Sequence, residues 1–173
     1  CKTTNERKNM AKKKKVPQQQ ALSPERYIKE KARLLPIVEC WITDGWDKCG
    51  LGTAIVARQH KNGNYTLGIY MFDTFCCGLT DSLYHFNVPE YEYREMLEEG
   101  CATLEMNPIS YEELHNLIYG AVAFAEEAGL GPHSSFKLTQ YILEEDTDEI
   151  PLIEYEFGKD GKPVSYTHLR AHE

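Results

Sequence analysis

The stretch Leu51-Gly-Thr-Ala-Ile-Val-Ala-Arg-Gln59, His60-Lys-Asn-Gly-Asn64, Tyr65-Thr-Leu-Gly-Ile-Tyr-Met-Phe-Asp73, Thr74-Phe-Cys-Cys-Gly-Leu-Thr-Asp81 decides the fold. Two alternating, largely apolar runs flank the pair Asn62-Gly63. A type I′ turn needs positive φ at both central residues, and Asn-Gly supplies it most readily. The stretch therefore predicts a β-hairpin, residues 51–59 with 65–74. Its second strand would feed a polar loop running from Asp73 to Asp81.

Working outward, Ile37–Thr43 (IVECWIT) is β-branched and aromatic and reads as a further strand. Three sequential strands with short links form an antiparallel meander, because parallel pairing would need long crossovers. On the third strand, alternation predicts an apolar face of Tyr65, Leu67, Ile69 and Met71 with Asp73 at its end. A carboxylate on a buried face is costly unless paired, so Asp73 needs a partner or a place at the rim.

Helices are expected around this sheet. Ser23-Pro24-Glu25 supplies an N-cap, a proline at the first helical position and an early acid, opening a helix over 24–34. Pro89-Glu90 opens another, ended by Gly100. Ser110 and Glu113 form a capping box for a helix that stops at Gly129, with a stripe of Leu114, Leu117, Ile118, Ala121 and Ala125. Ser134 or Ser135 caps a last helix through Leu143. Residues 151–157 (PLIEYEF) alternate like a strand, and 158–163 read as the turn of a C-terminal hairpin. The expected class is α+β: an antiparallel β-meander of three strands packed by three to four helices, with a C-terminal β-hairpin.

A length of 173 residues suits one domain. Residues 1–22 are expected to be a disordered basic tail, of which 1–9 precede Met10 and read as non-native. Residues 23–163 form the single domain. Residues 164–173 resemble an artefactual tail seen at the ends of metagenome-assembled reading frames. The net charge of −8 is uneven, with Lys12, Lys13, Lys14 and Lys15 near the start and acids dominating beyond Val88. Such a basic arm could contact nucleic acid, although a solvated tail is its ordinary role. No apolar run approaches ~18 residues, and no signal-peptide pattern is present. Without C-x-x-C spacing, Cys40, Cys49, Cys76, Cys77 and Cys101 read as free thiols of a cytoplasmic protein.

The candidate chemistry gathers after the hairpin. Asp73, Cys76 and Asp81 fall near a strand end, where rigid scaffolds present functional groups. His133 sits in Pro132-His133-Ser134 at a helix entrance. Cys76 as nucleophile, His133 as base and Asp73 or Asp81 as orienter would suit thiol chemistry. Equally, Cys76 and Cys77 read as small core residues of a turn. His115, Tyr119 and Glu126 share a polar flank of the long helix. The spacings match no zinc pattern, and Gly50-Leu51-Gly52 lacks the third glycine of a dinucleotide loop, so neither a metal nor a cofactor is expected.

The segments GTAIVARQHKNGNYTLGIYMFDTFCCGLTDSLYHF and YGAVAFAEEAGLGPHSSF resemble a widespread bacterial family of uncharacterised proteins. That family has a VDxFCLGVKD-like stretch after the hairpin and a LGFxPHxDF-like stretch in the later helix and loop. Cys77 replaces an apolar position of that pattern, Thr80 a basic one and Ser135 an acidic one. The resemblance implies a bacterial origin and the same two signature regions, but no activity. The resulting expectation is a non-enzymatic binding or interaction module using the 73–81 loop with His133, recognising a protein or a small molecule. A thiol-dependent enzyme is the competing reading.

Overall fold

The structure is a computed structural model and describes residues 22–101, 105–159 and 161–162. The lysines at 12–15, Cys1, Cys101's side chain and the tail at 164–173 lie outside the residues described. The elements in chain order begin with α1 (Pro24–Lys31), a 3-10 turn (Ala32–Leu34), β1 (Ile37–Thr43) and the single-turn α2 (Trp46–Cys49). There follow β2 (Leu51–Gln59), β3 (Tyr65–Asp73), β4 (Gly78–Val88) and α3 (Glu90–Cys101). The chain continues through β5 (Met106–Pro108), α4 (Tyr111–Glu127), α5 (Phe136–Thr139) and a 3-10 turn (Gln140–Ile142).

The sheet has five antiparallel strands in the order β4-β3-β2-β1-β5. The α+β class stands, but in place of a three-strand meander with three to four helices the described residues form a five-stranded sheet, β4 and β5 flanking β1, β2 and β3, with five α-helices. The polar loop expected from Asp73 to Asp81 is a tight turn over Thr74, Phe75, Cys76 and Cys77; from Gly78 onward the chain is strand β4. The expected C-terminal hairpin is absent as strands from the described residues. Residues 151–157 alternate but have no ladder partner, and the turn survives as one bridge between Lys159 and Lys162.

The β2–β3 hairpin pairs in the expected register, from Leu51 with Asp73 to Gln59 with Tyr65. Its connection differs from type I′. Only Gly63 has positive φ (+88°), Gly63 N–H donates to His60 O at 3.0 Å, and His60 N–H donates to Asn64 O at 2.8 Å. This is the longer hairpin loop in which a left-handed glycine follows an ordinary turn.

The two sheet faces are unlike. The larger core lies against Cys40, Ile42, Ala54, Val56, Tyr70 and Phe72, covered by α1, α4 and α5 through Ile28, Leu114, Leu117, Ile118 and Phe136. The face predicted to be the apolar one, with Tyr65 and Leu67, carries the smaller cluster, covered by Tyr93, Met96 and Leu97 of α3. A strand buried on both sides loses the alternation that would name its core face. Asp73 sits at the end of that second face, half-buried.

One buried cation organises the larger core. Arg58 is 1 % exposed and donates to Ile142 O (2.6 Å), Leu35 O (2.6 Å) and Glu144 Oε1 (2.9 Å). A guanidinium is expensive to bury unless its N–H groups are matched, and its planar fork can match several acceptors at once. Arg58 thereby fastens the segment after α1 and the segment after α5 to the end of β2.

Candidate functional site

The turn after β3 is built from short local bonds. Asp73 Oδ1 accepts from Phe75 N–H (2.9 Å) and Cys76 N–H (3.2 Å), which makes it the cap of its own turn. Thr74 donates through both its N–H (2.7 Å) and its hydroxyl (3.0 Å) to Gly50 O. Gly158 N–H in turn donates to Thr74 O at 2.8 Å. Gly78, at φ +67°, lies against α4 so closely that a Cβ would sit 2.7 Å from Ala121 O and 2.8 Å from Ala125 Cβ. The small residues of α4 make this approach possible.

Cys76 is buried in that turn at 8 % exposure, and its thiol makes no hydrogen bond to His133. Cys77 is half-buried; burial first, then the neighbouring Cys76 and Asp73, push its thiol up to about 12, so it stays protonated near neutral pH. Among the described residues no group of three or more His, Cys, Asp or Glu side chains is placed to hold a metal ion.

Asp81 and His133, by contrast, come together. His133 N–H donates to Leu79 O at 3.0 Å, which lays the 130–135 segment along the end of β4. His133 Nδ1 then lies 3.4 Å from Asp81 Oδ1 and 2.8 Å from Ser135 Oγ, and it accepts from Ser135 N–H at 3.2 Å. Asp81 Oδ1 also accepts from Ser82 N–H at 2.8 Å. Both Asp81 and His133 are about half exposed, at 51 % and 48 %.

Behind this pair runs a chain of hydroxyls. Ser82 Oγ lies 2.7 Å from both Ser135 Oγ and Thr139 Oγ1, and Tyr70 donates its phenol to Thr139 O at 2.6 Å. Ser82 and Thr139 are buried, so the chain runs from the surface into the larger core. Ser82, Ser135 and Thr139 are not among the site residues expected from the sequence. One signal was available: Ser135 and Thr139 are one helical turn apart, and Ser82 shares the Tyr84 and Phe86 side of β4.

The arrangement has a definite chemical character. In a nucleophilic Ser-His-acid triad the hydroxyl and carboxylate occupy opposite ring nitrogens, so that the ring can relay a proton. Here both occupy Nδ1. Ser135 orients the imidazole through Nδ1, with the Asp81 carboxylate beside it, and Nε2 has no hydrogen-bond partner among the described residues.

From His133 a groove of about 470 Å³ continues between α4 and α5. Its polar lining beyond His133 is Tyr119 and Glu126 from α4, Ser134, Lys137 and Gln140, and Asp146. Burial holds the Tyr119 phenol up at about 12, which keeps it a neutral hydrogen-bonding group. The expected flank of His115, Tyr119 and Glu126 is split: His115 is buried, with Nε2 3.0 Å from Glu144 O and its ring 4.7 Å from that of Tyr119. No family model, curated protein or solved structure matches this chain.

Proposed function

We propose that this chain is a non-enzymatic binding module whose site is the Asp81–His133 pair together with the groove leading from it between α4 and α5. The observation that carries this reading is the shared placement of Asp81 and Ser135 on His133 Nδ1. That geometry fixes the ring and leaves Nε2 unpartnered among the described residues, which serves recognition better than proton relay. Around it the groove offers one cation, Lys137, two carboxylates, Glu126 and Asp146, and the neutral Tyr119 and Gln140. Such a mixture suits a small polar molecule or a peptide segment carrying both charge signs.

Within residues 73–81 only Thr80 and Asp81 are exposed, so the proposed site lies on β4 and the 133–140 segment. The thiol-enzyme reading draws no support from a buried Cys76 and a Cys77 held protonated. No described helix is long and apolar enough to cross a membrane. Together with Cys40, Cys49, Cys76 and Cys77 as free thiols, that supports work in a reducing cytoplasm. The likeness to a bacterial family remains a proposal on the two signature segments.

The test is a fragment screen on ¹⁵N-labelled protein followed by amide shifts. Zwitterionic fragments are expected to move Asp81, Tyr119, Glu126 and the 133–140 amides, and His133→Ala is expected to abolish those shifts. Shifts that gather elsewhere, or that survive His133→Ala unchanged, would overturn the assignment.

A further inference from the structure

On the opposite side of the sheet from α4 lies a second cavity, of about 450 Å³, between the sheet and the C-terminal half of α3. Its floor is Ile55, Leu67 and Ile69, and its roof includes Met96 and Leu97. The hydroxyl beside it is already spent, since Thr43 Oγ1 donates to Thr53 O at 2.9 Å and accepts from Thr53 N–H. No buried side-chain polar atom among the described residues lacks a partner. Apart from the Thr53 hydroxyl, the interior therefore offers dispersion and the hydrophobic effect. Unbranched, polarisable methionines at its roof and at Met106 adapt to an irregular aliphatic shape.

Glu99 is the one charged side chain among the described lining residues; Glu90, Glu92, Glu95 and Glu98 lie elsewhere on α3, with Glu90 3.6 Å from Arg94. The single arginine of α3 is committed elsewhere: Arg94 holds both oxygens of Glu39 at 2.9 and 3.0 Å. No lysine or arginine is among the described lining residues. A head group at the mouth thus meets uncompensated carboxylate, which attracts cations and repels anions.

The same side chains that spend Arg94 fix the roof. Tyr93 donates its hydroxyl to Glu39 Oε2 at 2.6 Å and accepts from Trp41 Nε1–H at 3.0 Å, and its ring packs 4.7 Å from that of Tyr65. These contacts clamp the first half of α3 to β1 and β3. The second half spans the cavity, so the space is formed by the fold and does not require a partner to open it.

We propose that this cavity binds an aliphatic chain bearing a cationic head group, an alkylammonium-type ligand, with the chain over Ile55, Leu67 and Ile69 and the head at Glu99. Charge complementarity selects this occupant over a fatty-acid anion of the same chain length.

Calorimetric titration of the intact chain with decyltrimethylammonium and with decanoate, both below their micelle concentrations, tests it. One equivalent of the cation is expected to bind, at least about tenfold tighter than decanoate. Amide shifts should concentrate in 93–100, and Glu99→Gln should reduce the preference. Ile69→Phe fills the floor and is expected to weaken cation binding by about tenfold or more. Met96→Phe fills the same space from the roof and serves if the floor variant does not fold. Equal or tighter binding of decanoate overturns the head-group assignment. Failure of the cation to bind, or unchanged affinity in a folded filling variant, overturns the site.

Discussion

Arg58 and Glu144 meet at 2.9 Å, with the guanidinium 1 % exposed and the carboxylate side chain 39 % exposed. The asymmetry says which partner matters more to folding. Removing the arginine strands Leu35 O and Ile142 O as well as the acid. Arg58→Met is expected to cost about 3 kcal/mol, and Glu144→Gln about 1 kcal/mol because water can replace the exposed partner. Urea unfolding of both variants checks this. Equal losses would show that the ion pair, and not the carbonyl bonds, carries the effect.

Gly78 is a second point of dependence. Gly78→Ala must place a Cβ against Ala121 O, a backbone atom within a helix, at a φ of +67°. A loss of roughly 2–4 kcal/mol is expected from overpacking and left-handed strain together. Gly63→Ala is the control. Its φ is +88° but nothing lies within 4 Å of the added carbon, so only strain of about 1–2 kcal/mol applies. Thermal or urea melts giving the two variants the same loss would contradict the packing account.

His60 makes the fold sensitive to mild acid. Burial holds its pKa below the ordinary value of 6.5, and its ring lies 5.5 Å from that of Tyr27 and 5.7 Å from that of Phe86. The sign follows from linkage: below 6.5 the unfolded chain binds a proton that the folded chain does not. Stability is therefore complete above that pH, falls as the pH drops toward the lowered folded value, and then levels. Unfolding free energies between pH 7.5 and 5 should slope more steeply for the wild type than for His60→Gln, as about one proton per molecule requires. Parallel curves would dissociate His60 from the effect.

Thiol labelling separates the readings of the turn. Cys49 is exposed, whereas Cys40 is buried and burial pushes its thiol up to about 12, the level Cys77 also reaches. Among the four described thiols, iodoacetamide at neutral pH, followed by peptide mapping, is expected to modify Cys49 and to leave Cys40, Cys76 and Cys77 largely intact. Rapid, selective alkylation of Cys76 would restore the nucleophile.

Much of the fold was legible because local chemistry and global position agreed. Ser23 does cap α1, accepting from Arg26 N–H at 3.3 Å, and Ser110 caps α4, accepting from Glu113 N–H at 3.2 Å. The β2–β3 register followed from two facing alternations. What stayed hidden depends on partners distant in sequence. Thr80, Asp81 and Ser82 look like loop residues, yet Ser82 is buried because Ser135 and Thr139 meet its hydroxyl. Residues 151–157 alternate like a strand but lie over helical side chains, with Phe157 stacked on Phe124 at 5.9 Å and Tyr155 edge-on to Trp46 at 5.8 Å. Alternation reports two unlike surroundings; it does not report a ladder. For the site, the pairing of an aspartate from the signature stretch with His133 was readable, while the choice of Asp81 over Asp73 required the turn geometry.

The hydroxyl chain behind His133 has a direction as well as a path. When Nδ1 carries no proton, Ser135 donates to it, Ser82 can donate to Ser135, and Thr139 can donate to Ser82. Thr139 Oγ1 also lies 3.3 Å from Ser135 O, a second acceptor for its proton. The lone pair of Nδ1 at the surface thus sets the orientation of hydroxyls three residues deep, beside the Thr139 carbonyl that Tyr70 grips.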